Sequence, residues 1–443
     1  MMENKDKIRV PRRILSALLS SVSAGVVPRS GAPYIAIGRK DEIGALLSDL
    51  ENIGEGGSAM RFLIGRYGSG KSFLMQLIRG YALERDFLTA DADLSPERRL
   101  YGTVGSGVAT YRELMKNLAS KAAPDGGALP RVIARWIGTL QADAGEDPDG
   151  SKLRAAVQNT LREVEFMVGG FDFARVISAY YTAYLEGDDT LMSACLCWLR
   201  GEFTSKVEAR RALGFHVSVI IDDENWYDFI KLFAVLARKI GYRGLVVFVD
   251  ECVNLYKISH RVSRENNYEK ILSMFNDALQ GKAEGLLLVL GGTPQFLEDP
   301  RRGLFSYEAL RSRLCDSRFA DAEFRNLIGP VIRLRRLSED ELYALIVRVT
   351  ALYAEFYNWT PRLGEAEQLR FLEICTSRAG ADSMLTPREI LRDYMTVLNI
   401  LMQNEDASFD RILKNVVGES PAPAKSAETS GEKHGFDPED IVF

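Results

Sequence analysis

The stretch Gly65-Arg66-Tyr67-Gly68-Ser69-Gly70-Lys71-Ser72 constrains this chain more than any other. It satisfies G-x-x-x-x-G-K-[ST] in full, with the short apolar run Met60 to Ile64 before it and apolar residues at helical spacing (Phe73, Leu74, Leu77, Ile78, Tyr81) after it. A strand, a glycine turn and a helix in that order bring backbone N–H groups and a helix N-terminus to one point, where a phosphate group binds. Lys71 is then placed to neutralise β- and γ-phosphate charge, and Ser72 to offer an oxygen to Mg²⁺. ATP and Mg²⁺ follow as the expected cofactors, with Gly65 to Ser72 and the adjoining Phe73 around the phosphates.

Such a lysine requires a carboxylate partner on a neighbouring strand, and two runs compete for the role. Val217 to Ile221 leads into Asp222-Asp223-Glu224, but these acids directly precede an amphipathic pattern from Trp226 to Ile240 and suffice as its helix caps. Leu245 to Val249, the longer uninterrupted run, reads as a central parallel strand ending in Asp250-Glu251. Asp250 is the expected Mg²⁺ ligand beside Ser72, and Glu251 the group that orients and polarises the attacking water. A third run, Leu286 to Leu290, ends in Gly291-Gly292-Thr293-Pro294, so Thr293 is expected at the crevice beside the phosphate loop.

Composition excludes disorder as the main state: the 443 residues are 46% hydrophobic and 26% charged, enough for two or three domains with their own cores. The five cysteines are scattered, and neither a disulfide framework nor a zinc site is expected. No apolar run reaches the roughly 18 residues of a membrane span, and the N-terminus lacks an apolar signal core, so a cytoplasmic protein with no membrane partner is expected. Residues 418–443 carry six acids against Lys425 and Lys433, about four of the net five negative charges. The remaining body is nearly neutral, which leaves room for a local basic stripe that contacts nucleic acid.

These features, with Gly38 to Glu42, Leu310 to Leu314, Leu334 to Leu342 and Thr386 to Ile390, resemble an AAA+ ATPase of the initiator or Cdc6-like branch. More closely, the stretches RRILSALLSSVSAGVVPR, GRYGSGKSFL, DADLSPERRLYG, TYRELM, IDDENWYDFIKLFAVLARKIGYRGLVVFVDE and LTPREILRDY resemble the BREX-type ATP-binding proteins of the BrxD group. That group belongs to bacterial anti-phage defence islands, including BREX and Shango loci. The resemblance implies an α/β fold, an AAA+ P-loop parallel sheet flanked by helices, with a helical insertion and a C-terminal helical lid. It implies an ATPase that couples Mg²⁺-dependent hydrolysis to DNA or to a defence-system partner such as a helicase, acting as a homo-oligomer. The alternative is a nucleotide-gated switch, scaffold or helicase-loader-like module with little turnover. It places Arg39 near the adenine, Thr293 as the sensor at the γ-phosphate, Arg388 as the lid arginine, and one of Arg311 and Arg313 as a finger reaching the adjacent subunit's ATP.

The expected organisation is an N-terminal helical segment with the adenine-side box (1–58), an ATPase core (59–95 and 215–335), a helical insertion (96–214), a helical lid (336–416) and a disordered acidic tail (417–443). The insertion is read from helical patterns broken by Gly126-Gly127 and Gly169-Gly170, and the lid from a Ser338 to Glu341 capping box.

Overall fold

The computed structural model describes residues 10–102, 105–145, 147, 150–315, 325–377 and 386–412; the acidic tail lies outside them. Five parallel strands, β1 (Ala59–Ile64), β2 (Leu88–Asp93), β3 (Leu245–Asp250), β4 (Leu286–Gly292) and β5 (Val331–Arg333), form one sheet in the order β2-β3-β4-β1-β5. The central strands β3 and β4 read as continuous apolar runs because helices cover both faces of the sheet. All five end on the same edge, with Ile64 opposite Gly292 and Arg333, and Asp93 opposite Asp250. The expected parallel α/β sheet is therefore present. The acidic strand is not the neighbour of β1, however: β4 lies between them.

In chain order the helices are α1 (Arg12–Ser23), α2 (Lys40–Gly54), α3 (Lys71–Glu84), α4 (Ser106–Lys116), α5 (Leu129–Ala144), α6 (Ser151–Glu165), α7 (Gly170–Glu186), α8 (Asp189–Leu199) and α9 (Lys206–Leu213). There follow α10 (Trp226–Lys239), α11 (Val253–Tyr256), α12 (Arg261–Leu279), α13 (Pro294–Glu298), α14 (Glu308–Leu314), α15 (Glu339–Tyr357), α16 (Glu365–Ser377) and α17 (Pro387–Gln403). Helices α4 to α10 occupy the long stretch between β2 and β3 and share one apolar cluster with a face of the sheet, through Tyr111, Phe173, Trp198 and Phe229. The other face packs on α2 and α3 through Leu46, Leu50, Leu74 and Ile78. A separate cluster joins α15, α16 and α17 to α1, through Leu18, Ile346, Tyr353 and Tyr394. The N-terminal residues therefore divide, with α1 on the C-terminal helices and α2 on the sheet. Each buried leucine or phenylalanine contributes roughly 1.5–3 kcal/mol to holding these layers together.

The rival acidic segment is not a strand. Asp172 accepts from the N–H groups of Ser218 (2.7 Å) and Val219 (2.9 Å), which holds that stretch against α7 and away from the sheet. Asp223 caps α4, accepting from Gly105 N (2.7 Å) and Val108 N (2.8 Å), and does not cap the helix that follows it. The Ser338 capping box is formed at the start of α15, with Glu341 returning a bond to the Ser338 N–H. Among the described residues no helix is long and apolar enough to cross a membrane.

Candidate nucleotide site

The phosphate loop is pinned at its start by Gly65 N donating to Gly292 O at 3.1 Å. Gly68 (φ +75°) and Gly70 (φ +89°) take left-handed conformations that a side chain disfavours, and these turns swing the chain into α3. Gly70 is the N-cap of α3 and supplies no side-chain acceptor, so the first-turn N–H groups stay open to an anion. Lys71 Nζ donates to the carbonyls of Gly65 (2.8 Å) and Arg66 (3.1 Å). Burial pushes its pKa down, and the nearby carboxylates of Asp250 and Glu251 oppose that shift. Tyr67 is 78% exposed at the loop tip, whereas Phe73 packs between the sheet-side and C-terminal clusters.

Ser72 Oγ donates to Asp250 Oδ2 at 2.6 Å. Asp250 reaches past β4 because the end of that strand is glycine: a Cβ on Gly291 would stand 2.4 Å from Asp250 Oδ1. Asp250 Oδ1 accepts from the Glu251 N–H (2.8 Å), and Glu251 holds φ +57°, an uncommon conformation for a residue with a side chain. Asp93, opposite Asp250 on β2, is a residue that sequence reading missed. Desolvation, then Asp250, Glu251 and Asp91, push its carboxyl pKa up. The Asp91-Ala92-Asp93 alternation at the end of a short apolar run was the available signal.

A cavity of about 240 Å³ opens from the loop. Its polar end is Gly68 to Ser72 with Glu251, and its apolar end is Val22, Val26, Ile37, Leu337 and Leu391. Thr386, Pro387 and Arg388 close it from α17, so Arg388 lies at the cavity with the phosphate loop. Contact between the two parts is tight: a Cβ on Gly68 would fall 2.2 Å from Thr386 Cγ2. Thr386 and Glu389 form a reciprocal capping box that fixes the start of α17 there.

Arg39 lines the same cavity, but its guanidinium is held by protein groups. Nη2 donates to Ser69 O (2.8 Å) and Arg335 O (2.7 Å), and Nη1 lies 3.7 Å from the buried Glu42. It ties the phosphate loop to the segment leading into α15. Burial pushes its pKa down, with Glu42 and Glu341 opposing. Thr293 follows β4 directly beside β1, and its Oγ1 accepts from Phe296 N (3.3 Å), capping α13. Arg311 and Arg313 are exposed on α14 and do not line the cavity; Arg313 donates to Ala309 O within its own helix (2.7 Å).

The residues present fit a magnesium nucleotide. Open N–H groups and a half-buried lysine supply donors, and Ser72 and Asp250 supply two adjacent oxygens. Among the described residues no group of three or more His, Cys, Asp or Glu forms a metal cage, and Mg²⁺ characteristically takes one or two protein oxygens with the rest from phosphates and water. No curated protein matches the chain. The family model for the BREX system ATP-binding protein BrxC/D matches residues 10–417. The chain belongs to that family, whose members are ATP-binding proteins of phage defence.

Proposed function

We propose that this protein is a Mg²⁺-dependent ATPase whose nucleotide state moves the C-terminal helices against the sheet, coupling hydrolysis to DNA or a DNA-processing partner. The observation that carries it is the meeting of Lys71, Ser72 and Glu251 at one end of a cavity whose other wall belongs to α1, α15 and α17, with Asp250 bonded to Ser72. When bound, the metal and triphosphate supply an electrophilic phosphorus with its charge partly neutralised. Lys71 and the first turn of α3 would bind and orient the phosphates, Ser72 and Asp250 would hold the metal, and the Glu251 carboxylate would take the proton of the attacking water. Arg388 stabilises charge on the transferring group from the α17 side, and Thr293 senses it from the end of β4. One of Arg311 and Arg313 serves a neighbouring copy in a homo-oligomer.

In this proposal residues 59–95 and 215–335 are the ATPase core, 96–214 an insertion that meets the partner, and 336–416 the lid. Lys71→Ala abolishes ATP uptake measured by calorimetry. Glu251→Gln keeps ATP and loses about 10²–10³-fold in hydrolysis; normal turnover in Glu251→Gln would remove the residue from that role. A wild-type chain that binds ATP and shows stoichiometric cleavage at most, with or without DNA, would instead be a nucleotide-gated switch or loader. Specific activity that rises with protein concentration marks the intersubunit finger.

A further inference from the structure

A second cavity, of about 270 Å³, lies beside the phosphate loop and shares Ser69 with the first. Among the described residues its charged lining is arginine alone: Arg66 from the loop, Arg333 at the end of β5, and Arg335 and Arg336 in the segment beyond. Leu334 N donates to Ile64 O (2.7 Å), which lays that segment along β1 and brings the arginines to the loop. Arg333 pairs with Glu298 and Arg335 with Glu341 (2.6 Å), so two of the guanidinium groups are already oriented by carboxylates outside the cavity. Ser69 is 3% exposed, and its hydroxyl, on the cavity wall, has no hydrogen-bond partner. A buried hydroxyl without a partner is destabilising, and an acceptor entering here would relieve that cost.

The local sequence agrees with that lining. From Arg301 to Arg336 the chain carries nine arginines and no lysine against four acids, in a protein whose net charge is −5. The guanidinium fork matches the paired oxygens of a phosphate, which suits an arginine-lined cavity to a phosphodiester.

We propose that this cavity is a nucleic-acid backbone site, in which Arg66, Arg333, Arg335 and Arg336 receive one DNA phosphate and the Ser69 hydroxyl donates to it. The site deepens the DNA reading above and rests on it. Because Gly65, Arg66 and Ser69 belong to both this cavity and the phosphate loop, DNA and ATP change each other's affinity by the same factor.

The test uses the full chain and a fluorescent duplex of about 20 base pairs, titrated between roughly 50 and 200 mM salt, with ATP uptake measured alongside as a check of folding. The double variant Arg335→Gln/Arg336→Gln is expected to lose about tenfold or more in DNA affinity and to show a salt slope shallower by about one to two. On the wild-type chain, which needs no variant to fold, duplex DNA is expected to shield Arg66 and Arg336 from an arginine-specific dicarbonyl reagent read by mass spectrometry. Wild-type DNA binding with neither effect would overturn the site and leave the DNA reading standing. Absence of any DNA binding would overturn both, and shielding by polyglutamate in place of duplex would assign the cavity to an acidic protein partner.

Discussion

The hydroxyl of Ser72 and the carboxylate of Asp250, 178 residues apart in the chain, meet at 2.6 Å across the glycine end of β4. That reach depends on Gly291, since a methyl group there would press on Asp250 Oδ1. Gly291→Ala is therefore expected to weaken nucleotide uptake about tenfold in Mg²⁺, the loss of one charged hydrogen-bonding arrangement, and to leave uptake in EDTA nearly unchanged. Equal losses in the two conditions would mean that the loop itself had collapsed, and would count against Asp250 as the metal-side oxygen.

Gly68 of the loop lies tight against Thr386 at the start of α17. Gly68→Ala combines a disfavoured φ of +75° with a clash at Thr386, so a stability loss of at least about 1 kcal/mol and weaker ATP binding are expected. Adding Thr386→Ser removes the nearest methyl and should restore part of the ATP affinity while the φ penalty persists. No recovery in the double variant would show that the backbone conformation alone carries the effect.

Arg39 joins the carbonyls of Ser69 and Arg335, and its loss leaves those two acceptors without this donor, while Glu42, 2% exposed, retains Arg325 at 2.9 Å. Arg39→Ala is expected to destabilise the chain by about 1–3 kcal/mol, the range for a buried polar group left without its partner. Hydrogen exchange should rise in the segment from Arg335 to Glu341 beyond any rise in β1. Unchanged exchange there would contradict the tie.

Asp93 faces Asp250 across β2 and β3, and its raised pKa means that the folded chain holds this proton more tightly than the unfolded chain does. Folded stability attributable to this group is thus lost as pH rises through the folded value. Asp93→Asn should match wild type near pH 4 and gain about 0.5 kcal/mol at pH 7, a small figure because solvent screens an exposed carboxylate. Urea midpoints between those pH values check it, and a difference independent of pH would dismiss the repulsion.

By itself the sequence determined the strand, glycine turn and helix of the phosphate loop, the parallel α/β class, the helices of the long stretch between β2 and β3, and that the run ending at Asp250 is a strand of the sheet. Those signals are local: a glycine turn, a helix start and an apolar run are specified within about ten residues. Tertiary structure alone decided that β4 separates β1 from β3, that α1 joins the C-terminal helices, that Arg39 is a tie and that Thr293 caps α13. Strand order and the bond from Arg39 to Arg335, 296 residues away, arise from how layers pack, and no short window of residues encodes them.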